Sequence, residues 1–341
     1  MKFIDVNDLQ AGMIVAKNVI NENGIEFLSR DSVLSSANIE SLKKFDIDFI
    51  YIVDDNVKEI IDENSITYLY TELLEIYKTS YMNSRLGKNI DILAIESKLY
   101  PLVDLILKNN DILKTLRGIS INDLYTYLHS VNVSLLSAII GKWSKLTKRD
   151  IYDLSLSALL HDIGKSQVTL SIINKPSSLN EKEFNEIMMH TQFAKDIVSI
   201  SSSLNKNIID GIYYHHERKD GSGYPMGMTY DSISFFPKII AIADIFDALT
   251  SDKVYRRKIS PFKAIDLINE LSYKKLDEGL CVLFIKNISD FYVGSRVKLT
   301  TGENGEIVFL NKYCRNRPLI KTERNFIDLS TDYSIDILEI I

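Results

Sequence analysis

Apolar and polar residues alternate in different rhythms along this chain, and each rhythm predicts a different kind of element. Between Met13 and Val53 the pattern is mixed: the apolar stretch MIVAKNVI is followed by Asn23-Gly24, a hairpin-turn dipeptide, and then by IEFL. A short helical segment, ANIESLKKF, leads into the alternating IDFIYIV from Ile47 to Val53, so this part reads as a small α+β domain. From about Ile66 to Leu116 apolar residues recur at helical spacing, as in YLYTELLEIY and LYPLVDLIL. The stretch from about Ile121 to Leu271 is also mainly helical, broken near Lys175-Pro176 and by DGSGYP from Asp220 to Pro225. From Phe291 onward RVKLTT, the turn-like GENG, EIVFL and RPLIKT predict short strands. The expected fold class is mainly α: a helical bundle with a small α+β N-terminal domain and a small β C-terminal module. The expected boundaries are 1–60 for the N-terminal domain, 61–118 for a helical connector, 119–290 for the main helical domain and 291–341 for the β module.

Composition adds bounds. A chain of 341 residues with 45% hydrophobic and 25% charged content is ordinary globular material with room for two or three domains. The formal charge of −6 argues against a general nucleic-acid binder, because nonspecific affinity for phosphate backbones rests on clustered Lys and Arg. No DNA or RNA polymer is therefore expected as partner. The opening MKFIDVNDLQ lacks the marks of a signal peptide, and no stretch offers about 18 uninterrupted apolar residues, so no membrane span and a cytoplasmic location are expected. Cys281 and Cys314 are far apart and outside any CxxC pattern, which suits reduced packing residues. An anionic substrate would need bound divalent metals to reverse the local sign of charge.

Chemistry concentrates in one region. All five histidines lie between His129 and His216. Each alone is an ordinary core or surface histidine; together they suggest a site. His161-Asp162 follows LSALL and precedes Ile163, Gly164 and Lys165, while His215-His216 follows GIYY. Neutral imidazole and carboxylate suit first-row metals such as Fe, Mn, Ni or Zn. Helical neighbours point about 100° apart, so an adjacent pair feeds two ions more readily than one. Two ions about 3.5 to 4 Å apart can hold a bridging hydroxide and polarise a phosphodiester.

HDIGK at His161 to Lys165, HHERKDGSGYP at His215 to Pro225 and ADIFDALTSDKVYRR at Ala243 to Arg257 together resemble the HD-GYP family, over about Ile121 to Leu271 and in the family's order. The flanking regions are similar, less specifically, to small domains found beside it. The resemblance implies an HD-type helical bundle in which His129, His161, Asp162, His190, His215, His216 and Asp244 hold two divalent first-row ions, iron or manganese, with Asp162 bridging them. It places Lys165 beside the scissile phosphate as a catalytic residue with Asp162, and Lys253, Arg256 and Tyr224 at the substrate; Arg257 receives no role. Gly221, Gly223, Tyr224 and Pro225 form the GYP loop, read as a stiff turn, a partner surface or both, with no catalytic step. Glu217 and Asp220 are candidates to orient ligands by hydrogen bonds. Some family members carry a glutamate where this chain has Tyr125, a poor substitute for a carboxylate, which leaves two metals as the expectation.

The implied activity is hydrolysis of cyclic di-GMP to linear pGpG and onward to GMP through a metal-bridging hydroxide. Two alternatives stand beside it: an HD phosphohydrolase for another nucleotide such as cyclic GMP-AMP, and a non-catalytic cyclic-dinucleotide receptor or scaffold. Loss of ligands would favour the receptor, and none is visibly lost. A second copy of the chain or a signalling protein, met through the GYP loop or the terminal domains, completes the partner classes.

Overall fold

The computed structural model describes residues 2–20, 26–30, 32–45, 47, 49–53, 66–108, 125–175, 177–201, 204–251 and 258–341. It divides into two compact units, Met1–Ser65 and Ile66–Ile341, each with its own core.

In the first unit β1 (Lys2–Asp5), β2 (Ile14–Val15), β3 (Val19–Ile20), β4 (Glu26–Leu28), α1 (Ser36–Lys44) and β5 (Phe49–Val53) follow in order. β1, β5 and β2 form an antiparallel sheet in that order, with Ile4 opposite Ile50 and Val15 opposite Ile52. Alternation along β5 turns Ile50 and Ile52 inward onto Val15, Leu34 and Leu42. β3 and β4 pair antiparallel, while the Asn23-Gly24 turn lies outside the described residues. α1 opens on a reciprocal cap: Ser35 Oγ accepts from the Asn38 amide at 3.1 Å, and Asn38 Oδ1 accepts from the Ser35 amide at 2.9 Å.

The second unit begins with α2 (Ile66–Arg85), α3 (Ile92–Lys108), α4 (Tyr125–Trp143) and α5 (Lys148–Leu160). After a 3-10 turn at Ile163–Gln167 come α6 (Leu170–Ile173), α7 (Glu181–Met188), α8 (His190–Ser201) and α9 (Lys206–Tyr214), then α10 (Phe235–Thr250), α11 (Pro261–Ser272) and α12 (Glu278–Asp290). α4 is the axis. Nearly every side chain from His129 to Gly141 is buried, the mark of a helix surrounded by others, here α2, α3, α5 and α10. Caps set the starts of its neighbours: Thr147 Oγ1 accepts from the Asp150 amide at α5, and Asn205 Oδ1 from the Ile208 amide at α9.

The chain ends in an antiparallel sheet of β6 (Arg296–Leu299), β7 (Asn304–Phe309), β8 (Leu319–Thr322), β9 (Phe326–Asp328) and β10 (Ile337–Ile340), in the order β10-β6-β7-β8-β9. Its inward side chains Val297, Leu299, Ile307, Ile320 and Ile337 join Phe284 and Ile288 of α12 in the core that the helices share. The architecture is thus mainly helical with a small strand module at each end. Among the described residues no helix is long and apolar enough to cross a membrane.

Candidate metal centre

The site is assembled from helix ends. His161 follows the last residue of α5, His190 begins α8 directly after α7, and His215 follows the last residue of α9. The last carbonyls of a helix lack an intrahelical partner, and the imidazoles take them up. Nδ1 of His161 meets Ala158 O at 2.6 Å, Nδ1 of His190 meets Ile187 O at 2.6 Å, and Nδ1 of His215 meets Ile212 O at 2.8 Å. Each carbonyl can only accept, so the Nδ1 proton stays on its side and Nε2 is left with a lone pair.

Two sets of donors result, each with ligand atoms within 4.8 Å of one another: His129, His161 and Asp244, and Asp162, His190, His215 and His216. Asp162 reaches across both. Its Oδ2 lies 3.4 Å from His161 Nε2 and 3.7 Å from His129 Nε2, while its Oδ1 lies 3.4 Å from His190 Nε2. His161 Nε2 and Asp162 Oδ1 are buried and make no hydrogen bond. Buried polar atoms are rarely left so unless an ion or water serves them, and neutral imidazoles with a carboxylate are the donor set a first-row cation takes. The residues present therefore fit a metal.

Electrostatics favours the same reading. Burial pushes His190 down to about 4, and burial reinforced by neighbouring histidines holds His215 and His216 well below the usual imidazole range, so all three stay neutral. Burial would raise the Asp162 carboxyl, but His161 and Lys165 outweigh it and keep it well below the usual range. His129 differs: burial would lower it, yet hydrogen bonds to Asp244 and Asp247 push it up to about 9. Lys165 Nζ donates to Asp162 Oδ2 at 2.5 Å, on the oxygen that faces His129 and His161.

The HD domain family model matches residues 108–280, half of the chain. A cyclic di-GMP phosphodiesterase of Pseudomonas aeruginosa is 30% identical over 67% of this chain and 55% of its own length, and one of Thermotoga maritima is 30% identical over 70% and 65%. A 3'3'-cGAMP-specific phosphodiesterase of Vibrio cholerae is 35% identical over 45% of this chain and 33% of its own length. The fold is shared with the solved structure of an HDG"Y"P protein from Bdellovibrio bacteriovorus, at a TM-score of 0.58 and 18% identity over 83% of this chain and 97% of that one. The chain belongs to the HD-GYP family. It spans roughly half the length of the Pseudomonas relative and a third of that of the Vibrio one.

The loop that gives the HD-GYP family its name is built directly onto a candidate ligand. Tyr224 stacks on His216, ring centroids 4.6 Å apart and planes 27° from parallel. Gly223 permits this, because an added Cβ would overlap the His216 carbonyl and the Arg218 amide. Glu217 is fully buried, and its carboxylate accepts from the amides of Met226 at 2.7 Å and Met228 at 2.9 Å. Asp220 accepts from the amide and hydroxyl of Ser222. Both acids therefore shape the loop and do not hydrogen-bond a ligand imidazole, contrary to the orienting role expected of them. Tyr224 lies on the candidate ligand cluster, packed on His216 and edge-on to His190.

The HD-GYP ligand set expected from sequence is brought together in full, and Lys165 with it. Lys253, Arg256 and Arg257, with the side chain of Tyr125, lie outside the described residues. Sequence reasoning passed over Asp247, whose Oδ2 receives His129 Nδ1 at 2.7 Å. A signal was there: Asp247 follows Asp244 by three residues, on the same face of a mainly apolar helix.

Proposed function

We propose that this HD-GYP protein is a metal-dependent phosphodiesterase that opens a cyclic dinucleotide, cyclic di-GMP in the first place, giving linear pGpG and then GMP. The observation that carries the reading is the single carboxylate of Asp162, one oxygen toward His129 and His161 and the other toward His190. Such a carboxylate suits a shared ligand between two ions. Divalent first-row ions, iron or manganese, supply Lewis acidity toward a phosphodiester and make water a usable nucleophile near neutral pH. His129, His161 and Asp244 would hold one, His190, His215 and His216 the other.

The remaining residues divide the work around that pair. Lys165, a half-buried ammonium against Asp162, stabilises charge that develops on the phosphate during attack. Tyr224 offers the substrate the edge of a ring already fixed against His216. Lys253 and Arg256 hold the phosphates in ground and transition states alike. The names of the Pseudomonas and Thermotoga relatives support cyclic di-GMP, and that of the Vibrio relative supports cyclic GMP-AMP as the second substrate.

The test is turnover by purified, metal-loaded protein offered cyclic di-GMP and 3'3'-cGAMP separately, with products resolved by chromatography. Metal-dependent release of pGpG is expected. Tight binding of either dinucleotide without hydrolysis would move the protein to the receptor class.

A further inference from the structure

His129 is held unlike the other candidate ligands. Where His161, His190 and His215 lean on main-chain carbonyls, the Nδ1 of His129 meets a carboxylate, Asp247 Oδ2, at 2.7 Å. Asp247 is only 4% exposed, so its charge must be met by donors inside the protein. Asn132 Nδ2 reaches Asp247 Oδ1 at 3.0 Å and Ser251 Oγ reaches the same atom at 3.1 Å. Behind Asn132 stands Tyr70, 1% exposed, whose hydroxyl donates to Asn132 Oδ1 at 3.0 Å.

The direction of this chain is fixed at each link. Asp247 is an acceptor, so the Asn132 amide must turn its NH2 toward it and its oxygen away. That oxygen then needs a donor, and burial keeps the Tyr70 phenol protonated to serve as one. The result is a one-way chain from α2 through α4 to α10 and back to His129. With Nδ1–H committed to Asp247, only Nε2 of His129 faces Asp244 and Asp162, at 3.2 and 3.7 Å.

We propose that Tyr70, Asn132 and Asp247 form a positioning relay that fixes the ring of His129 for the metal position it shares with His161 and Asp244. The relay rests on reading the cluster as a metal centre, and it does not depend on which substrate is cleaved. A carboxylate behind a ligating imidazole raises its basicity and fixes its orientation, and loss of such a partner typically weakens metal binding by about 10- to 100-fold. Tyr70 acts through two intermediaries, so its removal costs less, about 2- to 10-fold.

The experiment is titration of the metal-free 341-residue chain with Co2+ against a chelator, followed by absorption in the visible d–d bands. Asp247→Asn is expected to weaken one of the two binding steps by about 10-fold or more and to alter its bands, leaving the other step within about twofold. Tyr70→Phe and Asn132→Ser should shift the same step in the same direction. In the double variant Asp247→Asn with Tyr70→Phe, the second change should add nothing, since the chain is already cut. Equal weakening of both steps, or a Tyr70→Phe effect that adds in full to Asp247→Asn, would overturn the relay, as would an unaltered Co2+ spectrum in a folded Tyr70→Phe protein. Failure of the unaltered protein to hydrolyse any cyclic dinucleotide would overturn the phosphodiesterase reading alone, because the relay is read from ion affinity.

Discussion

The histidines of the candidate metal centre are held in place by two different means. His161, His190 and His215 lean on main-chain carbonyls at helix ends, and His216 is stacked by Tyr224 of the GYP loop. His129 instead meets a side chain, the carboxylate of Asp247. Main-chain bracing follows automatically once the helices form, whereas side-chain bracing must be supplied residue by residue. The donor groups also differ in charge: one joins three neutral imidazoles to the Asp162 carboxylate, the other carries His129, pushed up to about 9 between Asp244 and Asp247. Similar ligand types thus give two unequal halves.

The largest effect should come from Asp162, the residue both halves share. Asp162→Ala is expected to abolish turnover and take the metal content, by elemental analysis, from about two ions per chain to below one. Full retention of metal would mean that the halves are independent. Lys165→Ala comes next: a kcat loss of about 10- to 1000-fold is expected with both ions still bound, since the ammonium stabilises developing charge without being a ligand. A change in KM alone would move Lys165 to substrate capture.

Glu217→Gln tests the half that depends on the loop. One carboxylate oxygen that accepts a main-chain amide becomes an NH2, at a cost of about 1.5 to 3 kcal/mol for a hydrogen bond to a charged group. Thermal melting should fall, and ion binding should weaken at the His216 half only. Equal weakening in both halves would dissolve the distinction.

The smallest effect is also the most discriminating. With His129 pushed up to about 9 by Asp244 and Asp247, the metal-free protein is expected to carry its proton at pH 7.5, and an ion must displace it. Loading the His129 half should release about one proton, and loading the other half none, as His190 at about 4 is already neutral. Calorimetry in two buffers of different ionisation heat reads this directly, and no release would show that His129 is not a protonated ligand whose proton the ion displaces. The same values set opposite pH trends for the metal-free fold. The His129 contribution to stability is complete below about 6.5 and lost as pH rises to about 9; the neutral His190 destabilises as pH falls from about 6.5 toward 4.

Ligands were legible in the sequence because adjacent His-Asp and His-His pairs at the ends of apolar helices seldom serve packing alone. Their bracing was less so. Asp247 could have been suspected from its place in ADIFDAL, but Tyr70 stands 62 residues before Asn132, and nothing in local spacing joins the two. The glycines and proline of the GYP loop spell a stiff turn and leave a partner surface open beside it; the stacking of Tyr224 on His216 follows from a main-chain approach that only the fold displays. At the C terminus the alternation in RVKLTT and EIVFL announced strands, while the sharing of their inner face with α12 depends on Phe284 and Ile288, which read simply as helix core.

Gly164 sets the spacing between the HD turn and the helix that begins at His190. It sits one residue beyond Ile163 in the HD turn, and a Cβ there would collide with the His190 carbonyl and the Ala194 amide of α8. The turn bearing Asp162 and the helix bearing His190 therefore touch main chain to main chain. A gauge made of side chains yields when a rotamer changes; one made of bare backbone does not. The distance from the HD turn to the His190 helix is thus a property of the scaffold, and what remains free to adapt at this point is the tilt of the imidazoles.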